Sequence, residues 1–170
     1  MNIHDSGILF EPIHRVLFQA EETTFFAGLA EFFGDRVSCT KMDGMPDLAE
    51  PMPEYDGCHT VRYVTDTGCG YIFLDKRIHM LAVGALQEYL DAYTAKHRDA
   101  RVDYIHGADV VKELGTAGGN IGFFLPAMEK GDFFKTVIEK GSLPRKTFSM
   151  GEAFEKRYYI ECRKIKREDS

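Results

Sequence analysis

The stretch GSLPRKTFSMGEA, residues 141–153, places Arg145, Lys146, Thr147, Ser149 and Glu152 within eight positions. Guanidinium and ammonium groups offer charge-assisted donors, and Thr and Ser hydroxyls add short ones, a set suited to phosphate or carboxylate. Pro144 fixes its own φ and biases Leu143 toward an extended conformation, so the backbone leading into these residues is stiff. The same composition also describes a solvated polar connector, the ordinary fate of a charged run.

A second pair of interest is His14 and Arg15 in EPIHRVLF. Neighbours in a strand point to opposite faces, so one pocket holds both only if a bulge at Pro12 turns one of them. His14 shares a face with Val16 and Phe18, and Arg15 shares one with Ile13 and Leu17. A guanidinium on an apolar face needs a partner, either a buried acid or a ligand anion. A lone His among apolar residues more often serves structure through a hydrogen bond than catalysis as a base.

Other motifs carry less. GTAGGN, residues 115–120, lacks the lysine and hydroxyl of a Walker loop and precedes a strand, so it reads as a turn. His79, His97 and His106 form no HxxxH or HxH pair, and Cys39, Cys58, Cys69 and Cys162 form no CxxC pair, so no metal site is expected. No nucleophile elbow is present, and the sequence names neither a catalytic residue nor a cofactor.

The elements that must position these residues follow from periodicity. Residues 7–19 are strand-forming with Pro12 inside, which implies an edge strand, a bulge or two short strands. Residues 20–35 predict a helix with Phe25, Phe26, Leu29, Phe32 and Phe33 at helical spacing and Gly34 at its end. A short strand follows at 36–42. Residues 43–57 carry three Pro, two Gly and five acids without a period. This is a long loop of the kind that is either a lid or disordered, and it is expected as a disordered or simple surface excursion. Residues 59–76 predict a hairpin in which Val61, Tyr63 and Thr65 alternate with polar neighbours. A helix over 80–97, a strand over 101–107, a short helix over 108–115 closed by Gly115, and a buried strand over 120–126 come next. A helix over 131–141, with Phe133, Phe134, Val137 and Ile138 inward, and a strand over 155–165 complete the reading. The order implies an α+β domain with a mixed, partly antiparallel sheet and about four helices.

Composition limits the partners. The 170 residues suit one domain, and thirteen Phe and eight Tyr supply a core without disulfide or metal staples. A net charge of −6 argues against nucleic acid or an anionic membrane surface. No apolar stretch is long enough to span a bilayer, and the scattered cysteines fit free thiols in the cytoplasm.

Two segments together resemble the bacterial family called domain of unknown function 1015. IHDSGILFEPIHRVLF (3–18) is similar to its His…Gly-Leu…Pro-x-His-Arg segment. IGFFLPAMEKGDFFKTVIEKGSLPRKTFSMGEAFEKRYYI (121–160) looks like its carboxyl-terminal signature, with the match on Leu143, Pro144, Lys146 and Thr147. The chain departs from the commoner Tyr-Phe-x-Pro-Lys ending, where Lys156 stands nearest to the second lysine. Full members also carry an amino-terminal half ending near Gly-His-His-Arg, which is absent here. The resemblance therefore implies the carboxyl-terminal half of a two-domain protein, with that other half as partner. It further suggests that the two motifs meet. The 141–149 loop would fold beside the first strand, so that Arg145, Lys146, Thr147 and Ser149, with Arg15 or His14, frame a site for a small anionic metabolite. The alternative is a structural or dimerisation domain without a ligand, possible as a homodimer.

Overall fold

Pro12 has no amide hydrogen to give a ladder, and the first extended run is split around it into two short strands. The computed structural model describes residues 10–127, 138 and 146–150. Within them lie β1 (Phe10–Pro12), β2 (His14–Phe18), α1 (Glu22–Phe33), β3 (Val37–Met42), β4 (Cys58–Val64), β5 (Cys69–Asp75), α2 (Ala82–Lys96), β6 (Arg101–Ile105), α3 (Ala108–Gly115), β7 (Asn120–Phe124) and β8 (Phe148–Met150). The expected helix at 131–141 and strand at 155–165 lie outside the described residues. Of that helix Ile138 alone is described, and it is exposed, not inward.

Six strands form one sheet in the order β3-β5-β4-β7-β2-β6, and β1 pairs with β8 as a two-stranded ribbon. Every pairing among the described residues is antiparallel, which corrects the mixed sheet expected. A strand–helix–strand order such as β6, α3 and β7 ordinarily joins parallel neighbours in a sheet. Instead β2 lies between β6 and β7 and runs against both. The α+β class stands, with three described α-helices where about four were expected.

Alternation along the central strands sorts side chains onto two buried faces. Leu17, Tyr63, Ile72, Leu74, Ile121 and Phe123 pack under α1 and α2. Val16, Val64, Cys69 and Phe124 meet Val111 and Leu114 of α3 on the other face. Both faces are covered, so β5 reads as a near-continuous apolar run and β2 is buried along His14–Leu17. Phe25 of α1 is fully buried, with ring centroids 5.0 Å from Tyr89, 5.3 Å from Tyr93 and 5.4 Å from Phe123. Its burial contributes about 2 to 3 kcal/mol.

Helix ends follow local chemistry. Glu21 accepts from the Thr24 amide at 3.0 Å and caps α1, and Gly34 closes it in a left-handed conformation, φ 60°. Gly115 is inside α3, with Thr116 as its cap, so it does not end the helix as expected. Its role is close packing: a Cβ there would lie 2.7 Å from the Gly122 amide nitrogen of β7.

Candidate functional site

On the α3 face the helix covers β2, β6 and β7, while residues 43–57 cross the other end of the sheet. That loop is tied down along its length. Met45 and Leu48 pack on the apolar cluster under α3, and the Tyr55 ring lies against Phe73, tilted by 56° with centroids 4.6 Å apart. The Thr60 hydroxyl donates to the Pro53 carbonyl at 2.7 Å, and the Lys76 amide donates to Gly57 at 2.9 Å. The loop is a cover and not a simple surface excursion.

Arg62 of β4 stands beneath it, 2 % exposed. Its Nη1 donates to the Asp47 carbonyl at 3.2 Å and its Nη2 to Glu50 at 3.0 Å, while Cζ lies 5.7 Å from the Tyr71 ring centroid. Nε is buried with no hydrogen-bond partner, and among the described residues no carboxylate forms an ion pair with this guanidinium. Neutral carbonyls satisfy two donors but leave the charge itself without a counter-ion, a costly state in a buried setting.

Arg62 lines an open cleft of about 1050 Å³ between the loop and α3. His14 lines it as well, 8 % exposed and edge-on to Phe124 at 5.7 Å. The Leu125 amide donates to His14 Nδ1 at 3.1 Å, so the neutral ring carries its proton on Nε2. Burial first, then the charge on Arg15 and the nearby His106, pushes His14 down to about 4. At neutral pH it is therefore an uncharged donor.

Arg15 projects from the other face of β2, as strand geometry requires, and is fully buried. Its Nε faces Gln87 Oε1 of α2 at 3.3 Å, Nη1 donates to the Ile13 carbonyl, and Nη2 donates to the Lys146 carbonyl at 2.9 Å. Tyr104 stacks on it at 4.6 Å. Gln87 is in turn oriented by its amide donating to Asp91 at 2.8 Å. Burial lowers Arg15 to about 10, which leaves it charged at neutral pH.

The two distant motifs therefore come together, through main-chain contacts. Glu11 stands opposite Ser149 in the β1–β8 ribbon, and Arg15 binds the carbonyl of Lys146, whose φ is 54°. Lys146 is exposed, whereas Thr147 is buried beside a cavity of about 80 Å³ shared with His59 and Leu81. Arg145 lies outside the described residues. Arg15, Lys146 and Thr147 do not line the large cleft, and His14 does. Arg62 was missed because HTVRYV presents it as a polar position on an alternating strand. The signal was there: an arginine in a strand followed by an apolar return strand implies a second covered face.

Beside β1, Glu11 Oε2 is buried without a hydrogen-bond partner, 3.6 Å from His106 Nδ1. Comparison of the chain with protein-family models, with curated proteins and with solved structures returns no match in any of the three. Among the described residues no helix is long and apolar enough to cross a membrane.

Proposed function

We propose that this domain binds a small anionic metabolite, phosphorylated or carboxylated, in the cleft beneath residues 43–57. The observation that carries this reading is the buried Arg62 guanidinium, whose Nε has no partner and whose charge has no counter-ion among the described residues. His14 adds a neutral Nε2 donor on the same cleft. Two charge-assisted hydrogen bonds at ~1.5 to 3 kcal/mol each sum to ~3 to 6 kcal/mol and support affinities from millimolar to tens of micromolar. On the motifs quoted above, the domain is the carboxyl-terminal half of a two-domain protein of the domain of unknown function 1015 kind, and the anion is presented to the other half. The described cysteines are free thiols, which suits the cytoplasm. In this reading Arg15 is a structural pin, since its donors are engaged with Gln87 and main-chain carbonyls.

A scaffold without a ligand has less support. Among the described residues the exposed large apolar side chains are Phe32, Tyr55, Val110 and Ile138, and Phe32 of α1 stands on the opposite side of the sheet from Val110 of α3. A thermal-shift screen of phosphorylated and carboxylated metabolites tests the proposal. A ligand at a hundred times its Kd stabilises by about 2.7 kcal/mol, or roughly 5 to 10 °C. The shift is expected to vanish in Arg62→Gln. No shift with any anion would exclude the reading and leave the scaffold.

A further inference from the structure

Resting on that reading, we infer that the preferred ligand is a zwitterion, an amino carboxylate with an apolar body, and not a phosphate or a simple acid. Three observations converge on this class. The floor of the cleft offers the buried, uncompensated Arg62 guanidinium, which suits a carboxylate, with the His14 ring two strands away across Phe124. The cover over that floor carries Glu50, Glu54 and Asp56, all of which line the cleft and none of which has an ion-pair partner among the described residues. Between floor and cover the wall is apolar, with Leu48, Met52, Phe124 and Leu125.

Charge balance decides among ligand classes. Arg62 and Lys76 supply two formal positive charges to the lining, and the three acids supply three negative ones. A phosphate dianion reaching Arg62 must pass and then face these carboxylates, and like charges repel. A ligand with a carboxylate at one end and an ammonium at the other carries no net charge into the cleft. It places its negative end on the floor and its positive end under the acidic cover. The apolar wall then accepts a hydrocarbon body by simple area burial.

Isothermal titration of the folded protein at pH 7 separates this inference from the broader reading. The probes are 6-aminohexanoate, hexanoate (which lacks the amine), hexylamine (which lacks the carboxylate) and inorganic phosphate. 6-Aminohexanoate is expected to bind about tenfold more tightly than hexanoate and more tightly than phosphate, with no binding of the amine. Arg62→Gln should abolish binding of both 6-aminohexanoate and hexanoate. The combined variant Glu50→Gln, Glu54→Gln, Asp56→Asn alters exposed side chains and should erase the preference for 6-aminohexanoate while strengthening phosphate. If hexanoate or phosphate matches 6-aminohexanoate in the unaltered protein, or the preference survives in the triple variant, the zwitterion inference is overturned while anion binding stands. If none of 6-aminohexanoate, hexanoate and phosphate binds, both are overturned.

Discussion

His14 should make the fold sensitive to acid between about pH 6.5 and pH 4. The ring is buried, accepts the Leu125 amide on Nδ1 and lies near the charged Arg15. Protonation would put a charge in that position and remove the acceptor. The folded pKa, about 4, is below the unfolded value of 6.5, so the unfolded chain binds the extra proton first. Stability from this group is therefore complete above about pH 6.5 and is lost as pH falls toward 4. At ~1.4 kcal/mol per pH unit the ceiling is about 3 kcal/mol, with about 1.4 kcal/mol gone at pH 5.5 and about 2.5 kcal/mol at pH 4.5. Urea unfolding at pH 7, 5.5 and 4.5 measures this, with His14→Gln as the control, because Gln keeps an amide oxygen for Leu125 and does not titrate. The unaltered protein should lose about 2.5 kcal/mol more than His14→Gln between pH 7 and pH 4.5. Parallel pH profiles, or a His14 resonance titrating near 6.5, would refute the reasoning.

Three other outcomes are expected. Gly115→Ala drives a methyl against the β7 backbone at Gly122 and should cost about 2 kcal/mol, read as a fall in Tm of about 4 to 8 °C. Tyr89→Phe removes the buried hydroxyl that donates to the Phe25 carbonyl at 2.8 Å and should cost about 0.5 to 1.5 kcal/mol by denaturant unfolding, the worth of one hydrogen bond, because that carbonyl keeps its donor within α1. Arg62→Met takes the donors from the Asp47 and Glu50 carbonyls, so limited proteolysis should cut within residues 43–57 several times faster while cleavage elsewhere is unchanged.

Local elements were legible because each is written in nearby residues. Phe25, Leu29 and Phe33 share one helical face, and Gly34 closes that helix with φ 60°. Pro12 splits the first strand as its missing donor requires. Sheet order was not legible, since nothing within β6, α3 and β7 records that β2 will lie between two of them. The β8 strand went unread because FSM is too short for a period. The two motifs at 14–15 and 141–149 do approach one another, as the sequence suggested, through the Arg15 contact to the Lys146 carbonyl. What the sequence could not supply was the direction of the charges. Arg15 turns toward α2, Lys146 is exposed, and the cleft is built around Arg62, whose burial depends on a loop and a helix distant in the chain.

The place of β2 between β6 and β7 also constrains how the polypeptide acquires its shape. His14 and Leu125 are 111 positions apart, yet they share a hydrogen bond at the middle of the sheet. During synthesis β2 has no neighbour to join until residues 101–124 have left the ribosome, whereas the β4–β5 hairpin can close as soon as residue 75 is free. The early strand must wait as exposed apolar chain, and pairing over that separation makes assembly slow. Residues 10–18, whose first three wait still longer for residues 148–150, are thus the segment on which a holdase chaperone would have its longest opportunity to act.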